Sequence, residues 1–274
     1  FLGWSEGTTG HYEGRILSIS GTTITTNTIK DMISGTDTGV NAVLVDTDKI
    51  VLLYKSTNKG TAAVVTISGT TVNTPGTPFE FEASSITSAS DIAASALSSS
   101  SVLVSWRLST AIKARILSIG VSTITAPTSA ITINSTSATD KVTVGYVSAS
   151  TAAVMYDVSG ALKAVPVDVS GTTITGGAEV SIQSAACILP ITGEGFVALN
   201  SSQLMAALCL ASDNYPKGQV LTVNSSITAS TAVSVSSNSA GSNGAFATTL
   251  VDSERVLYCY YRGGNLYGKV LKRA

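Results

Sequence analysis

The chain has 274 residues, a formal net charge of −1 and only 12% charged side chains. No run of Lys or Arg is long enough to neutralise a phosphate backbone, so the composition excludes an ordinary nucleic-acid partner. No stretch of about 18 apolar residues occurs, which excludes a helical membrane span, and no secretory leader is recognisable.

Hydrophobic residues make up 44% of the chain but aromatics only 6%, so the apolar content is mostly Ala, Val, Ile and Leu. Short β-branched runs punctuated by Gly and Ser favour strands over helices. In chain order, the first unit reads Phe1 to Trp4, then Gly14 to Thr25 with a Ser-Gly-Thr-Thr turn. The second is Ile50 to Tyr54, a polar turn, then Thr61 to Val72. The third is Val102 to Trp106, Lys113 to Ile119 and Ser122 to Thr125. The fourth is Ala152 to Tyr156, Leu162 to Val169 and a further Ser-Gly-Thr-Thr turn ending at Thr175. The fifth is the most divergent, with Leu204 to Leu208 and Gly218 to Thr228. The sixth runs from Val256 to Tyr260 and Tyr267 to Leu271.

The anchors of these units are Trp4, Tyr54, Trp106, Tyr156, Leu208 and Tyr260, spaced by 50, 52, 50, 52 and 52 residues. A fixed period of this length is the signature of a repeat architecture. Each full unit holds four strand-like segments. Segment a is an apolar run such as Ala42 to Val45 or Val142 to Val147, and segment b ends at the anchor. Segment c carries the Val/Ile/Leu alternation, and segment d follows the Ser-Gly turn. Ser-Gly between two β-branched runs marks a tight hairpin, because Gly takes positive φ at no steric cost. Four antiparallel strands per repeat describe a propeller blade, whereas a solenoid coil is shorter and needs no hairpins. The expected fold is all-β: one six-bladed β-propeller of four-stranded antiparallel blades over residues 1–274. Six b and six c segments, against five a and five d, leave two alternatives. Either the first and last blades are incomplete, or the chain continues past these residues, where a seventh blade could lie. A start at Phe1 rather than Met fits a processed or partial chain.

A propeller puts its b–c and d–a loops on one face. The a–b and c–d turns are monotonous here, while the b–c loops differ between units and carry the chemistry-bearing side chains. Variable polar loops on a rigid scaffold are where binding residues concentrate. The candidate ligand-binding set is His11, Tyr12, Lys59, Arg107, Lys163, Asp213, Tyr215, Lys217, Arg262 and Tyr267. Aromatic faces and planar polar groups together suit a glycan. The plainer reading of each is a solvated hairpin tip, and of the aromatic anchors, packing between blades.

Catalytic and metal patterns are missing. The single His11 leaves few ways to build a Ser-His-Asp site or a His-rich metal centre. The 17 acidic residues are scattered rather than paired for glycoside hydrolysis. The Ser-x-Asp-x-Gly-x-Thr-Trp turn of sialidase propellers is absent, as are calcium and phosphate loops; Asp46-Thr-Asp48 is a fragment. Cys187, Cys209 and Cys259 read as small apolar strand residues. Asn134-Ser-Thr and Asn200-Ser-Ser match the glycosylation acceptor, as any Ser/Thr-rich chain does by chance. No catalytic residue, metal or cofactor is expected.

The segment from Lys49 to Phe81, with its Gly60-Thr-Ala, Ser68-Gly-Thr and Gly76-Thr-Pro turns, resembles a repeat of bacteriophage tail and fibre proteins. The resemblance covers nearly the whole chain, but the fifth unit departs from it and its Tyr-Arg-Asp trio is lacking. It implies a non-enzymatic structural or receptor-binding protein in a virion. The partners would then be other virion proteins, copies of itself, or a host-surface glycan. The alternatives are a secreted or cell-surface glycan-binding adhesive propeller of a bacterium and, third, a glycan-cleaving enzyme.

Overall fold

In a computed structural model, the described residues are 2–5, 11–33, 38–86, 91–134, 138, 141–184, 187–188, 196–210, 215–236, 246–252, 255–262 and 265–272. The expectation at Asp213 falls outside them, as do the side chains of Trp4 and Arg262.

The strands follow the repeat. The first unit holds β1 (Leu2–Ser5), β2 (Tyr12–Arg15), β3 (Leu17–Ser20), β4 (Thr23–Thr26) and β5 (Lys30–Ile33). The second holds β6 (Thr38–Asp46), β7 (Lys49–Ser56), β8 (Lys59–Ser68), β9 (Thr71–Val72) and β10 (Phe79–Glu82). The third holds β11 (Ile92–Ser98), β12 (Ser101–Leu108), β13 (Ala111–Ile119), β14 (Ile124–Thr125) and β15 (Ile131–Asn134). The fourth holds β16 (Val142–Ser148), β17 (Thr151–Val158), β18 (Ala161–Ser170), β19 (Thr173–Gly176) and β20 (Val180–Gln183). The fifth holds β21 (Cys187–Ile188), β22 (Phe196–Asn200), β23 (Gln203–Leu210), β24 (Pro216–Val223), β25 (Ile227–Ala229) and β26 (Val233–Ser234). The sixth holds β27 (Phe246–Asp252), β28 (Arg255–Arg262) and β29 (Asn265–Lys272). All pairings are antiparallel, as blades require and a solenoid does not.

The expectation of one strand for segment d is corrected. In the second, third, fourth and fifth sheets the segment is two short strands, both pairing with the c strand. The break falls at Pro75, Gly76 and Pro78 in one unit and at Pro127 in the next, where a proline offers no N–H to the ladder. Gly76 and Gly177 instead donate across the break to Val64 and Pro166 carbonyls at 2.8 and 2.9 Å. At the preceding hairpins Gly21, Gly69 and Gly171 sit at φ of 58, 58 and 59°, as the Ser-Gly signal requires.

The loop faces are as expected. On one, the d–a loop reaches the b–c turn: Ile86 donates to Asn58 O, Ala138 to Thr110 O and Val235 to Pro216 O. On the other, the end of strand c bonds the a–b turn: Ile67 to Asp48 O, Ile119 to Ser100 O, Val169 to Ser150 O and Val223 to Ser202 O.

The six-bladed count is corrected: the described residues make five blades, not six. Among them four sheets carry five or six strands; the first and last have three, and β3–β4 stands apart as a two-stranded hairpin. Six blades closed in a ring would need six cores between them, and the described residues build five. Each core joins one sheet to the next by strand alternation. Val51 and Leu53 of β7 face Val102, Val104 and Trp106 of β12, while Leu103 of β12 turns to Val154 and Tyr156 of β17. The aromatic anchors Tyr54, Trp106 and Tyr156 are buried at these junctions, as expected, and Tyr260 is buried in the same way.

Candidate functional site

Two places can receive a ligand. The first is a central channel of about 630 Å³ between the inner strands β6, β11, β16, β22 and β27, bordered also by Leu257 and Cys259 of β28. Its described lining is Ala, Val, Leu, Ser, Thr, Asn41, Phe196 and Cys259, without Asp, Glu, His, Lys or Arg. The second is the b–c loop face, where the expected residues lie.

On that face, several expected side chains are tied into the scaffold. Arg107 makes a two-point contact with Asp91, both N–O distances 3.0 Å, and Asp91 is fully buried. Such a pair fixes geometry more than it stabilises. Lys59 meets Glu80 of β10 at 2.7 Å, half exposed, which contributes at most about 1 kcal/mol. Lys163 lies 3.4 Å from Glu179. His11 Nδ1 is 3.8 Å from Asp31. In the pairs of Lys59 and Lys163 the acid comes from the d strand or the residue before it, so these two hold the outer part of the sheet onto the b–c hairpin. Asp91 instead directly precedes the inner strand β11, and its pair with Arg107 ties that strand to the b–c hairpin. Tyr12 packs against the core between the first and second sheets. Tyr215 and Lys217 are half-buried beside the fifth loop, and Tyr267 is 41% exposed.

The strand register adds a pattern that sequence reading missed. Opposite the anchors Trp4, Tyr54, Trp106, Tyr156, Leu208 and Tyr260 stand Glu13, Thr61, Lys113, Lys163, Lys217 and Tyr267. Directly opposed residues share a sheet face, so this position sits beside each anchor near the b–c loop end of the sheet. The backbone is constant there and the chemistry varies from acid to hydroxyl, ammonium and phenol. Three of the ten expected residues, Lys163, Lys217 and Tyr267, occupy it. The signal was available: the position follows its anchor by seven residues in four units and by nine in two.

Three of these anchors are organised further. Between the third and fourth sheets, Glu179 Oε2 accepts from Tyr156 OH and from Asn134 Nδ2, both at 2.6 Å, and Asn134 also donates to Tyr156 at 2.7 Å. Burial, then the bond to Glu179, pushes the Tyr156 phenol well above its ordinary value, so it stays a donor. Asn134 is thus a network member rather than a free glycosylation acceptor. In the sixth sheet, Tyr267 stacks on Tyr260 at 5.6 Å and 18° between planes, and Tyr260 meets Tyr258 edge-on at 6.4 Å. Between the second and third sheets, Trp106 donates to Glu82 at 3.1 Å and packs on Phe81 at 5.3 Å. There Arg115 bonds the Phe81 and Thr128 carbonyls; burial lowers its pKa, partly offset by Glu82.

Among the described residues no cluster of His, Cys, Asp and Glu could hold a metal. Cys209 of β23 is buried and Cys259 of β28 half-buried, and neither is in a disulfide among the described residues.

No protein-family model matches the chain, and no curated protein does. Solved structures do. One is a protein of Bacteroides fragilis named as a candidate 6-phosphogluconolactonase, 10% identical over 98% of this chain and 79% of that one, with a TM-score of 0.59. Another is a Hadza microbial sialidase, 8% identical, TM-score 0.55, matched over 96% of this chain but only 59% of its own length. A lectin of Aleuria aurantia bound to alpha-methyl-L-fucoside aligns at 14% identity over 85% of this chain and 74% of that one, TM-score 0.47. The fold is a β-propeller. At these identities the likeness extends to the fold alone, and none of these structures supports the bacteriophage resemblance.

Proposed function

We propose that the chain is a non-enzymatic glycan-binding propeller that uses its b–c loop face. The observation carrying this reading is the variable position beside each anchor, which ends in the half-exposed Tyr267 stacked on Tyr260. A stacked phenol offers a sugar a flat apolar surface at little entropic cost. The half-exposed Lys163 and Glu179 offer a charged donor and acceptor to hydroxyls on the same face. Cleavage would instead need two positioned carboxylates around a cleft, and the described channel lining has none. Structures of similar fold carry both lectin and sialidase names, so the fold favours neither binding nor cleavage.

A glycan array probed with the full chain tests this. Wild type should mark a defined group of glycans, and Tyr267→Ala should lose at least about tenfold in affinity, some 1.4 kcal/mol. An empty array, or release of sugar from a marked glycan, sinks the proposal. The virion setting rests on the repeat resemblance and on a surface rich in Ser and Thr. In that setting the chain copurifies with phage particles; recovery only as secreted protein favours the bacterial adhesive.

A further inference from the structure

Five hairpins close the c strands at the face opposite the b–c loops, and each presents one directly opposed apolar pair. These are Ile19/Ile24, Ile67/Val72, Ile119/Ile124, Val169/Ile174 and Val223/Ile227. In the second to fifth sheets the pair packs on the preceding sheet. Ile119 and Ile124 join the core with Val51 and Val64; Val169 and Ile174 join Leu103 and Ile116. The strand after the turn lies against the previous sheet's c strand each time: β9 on β2, β14 on β8, β19 on β13 and β25 on β18. The turns interlock as well. Thr128 donates to Thr172 O at 3.0 Å, and a Cβ on Gly76 would collide with Ser122 O.

The pair of the first sheet is different. Ile19 is 70% and Ile24 61% exposed, where Ile124 and Ile174 are 6 and 5% exposed. The complementary surface is free at the other end. On the sixth sheet, Leu257 opposes Val270 and Cys259 opposes Gly268. These are the register equivalents of Val51/Val64 and Leu103/Ile116, which are buried, yet Val270 is 53% and Leu266 75% exposed. The chain therefore carries both halves of an interface that it builds repeatedly within itself, and each half faces solvent.

We infer that these halves meet between molecules: the β3–β4 hairpin of one copy docks on the outer face of β28–β29 of a second copy, head to tail. The occupant is a second copy because the matching half, in sequence and register, is on this same chain. Among the described residues, its own first sheet leaves the sixth uncovered. An interface of two different surfaces repeats without being self-complementary, so it propagates into chains or rings.

Sedimentation velocity on the 274-residue chain, from about 1 to about 100 μM, tests this. Wild type should shift from monomer to dimer and longer species. Ile24→Asp and Val270→Asp should each abolish the shift without lowering the melting temperature, since both sites are exposed in the monomer. Mixed one to one, the two variants should form a dimer and nothing longer, because one intact half remains on each. Three results would overturn the inference: wild type monomeric throughout, association that survives both variants, or a mixture that stays monomeric. A fall in melting temperature of monomeric Ile24→Asp would also overturn it, by showing the hairpin covered within its own molecule.

Discussion

The second to fifth sheets and the two outer sheets are written in nearly the same sequence pattern, yet they meet different fates. In the inner sheets both faces are covered, and Leu52, Leu103, Val154 and Leu204 have no exposure. In the first and sixth sheets one face is covered and the other presents Ile19, Ile24, Leu266 and Val270 to solvent. The difference teaches that the repeat encodes a half-interface, and that burial depends on having a neighbour. A unit of this kind cannot bury its apolar face alone.

The comparison breaks most easily at its firmest junction. Trp106→Ala removes a fully buried ring, its edge contact with Phe81 and its bond to Glu82. It should cost about 3–5 kcal/mol in a denaturant titration. Arg107→Ala takes the guanidinium from the fully buried Asp91, for a similar loss of about 3–5 kcal/mol. The matched change Lys59→Ala should cost under about 1 kcal/mol, because its partner Glu80 stays solvated. If the two Ala variants melt together, the inner ion pair is not the clamp described here.

A smaller effect sharpens the contrast between equivalent hairpins. Ile174→Ala should destabilise by about 2–5 kcal/mol, and Ile24→Ala, at the same register position, by no more than about 0.5 kcal/mol at low protein concentration. Between these two, Gly171→Ala at positive φ should cost about 1–2 kcal/mol with no change in the cores. Tyrosine absorbance separates the regions without mutation. The Tyr156 and Tyr258 phenols are pushed above the ordinary value near 10, each chiefly by burial, then by Glu179 and Cys209 respectively. Both stay neutral in the fold while the unfolded chain ionises. Their contribution to stability is therefore intact below about pH 10 and lost as the pH rises beyond it. Stability that is flat across that range would contradict their burial.

Much of the fold was legible because strand, turn and anchor signals are local. Ser68-Gly69 and Ser170-Gly171 named their hairpins, and the spacing of Tyr54, Trp106 and Tyr156 named the junctions. The break in segment d was less legible, although Pro75, Pro78 and Pro127 mark it once the ladder's need for N–H donors is considered. The number of packed blades was not legible, because the pattern repeats whether or not a neighbouring sheet covers it. The site was half legible. Lys163 and Tyr267 stood out as loop-side residues, but Glu179, Glu82 and Asp91 looked like scattered acids. Glu179 reaches Tyr156 and Asn134 through the register of the fourth sheet and its packing on the third, neither of which is local in sequence.

The most direct test of the central claim is a binding isotherm for the strongest array glycan against a variant with the variable position blanked. That variant replaces Lys113, Lys163, Lys217 and Tyr267 together by Ala. This variant should stay folded, with the wild-type circular dichroism spectrum, and bind the glycan at least about tenfold more weakly. Undiminished binding by that folded variant would contradict the account and move the ligand to the channel or the opposite face.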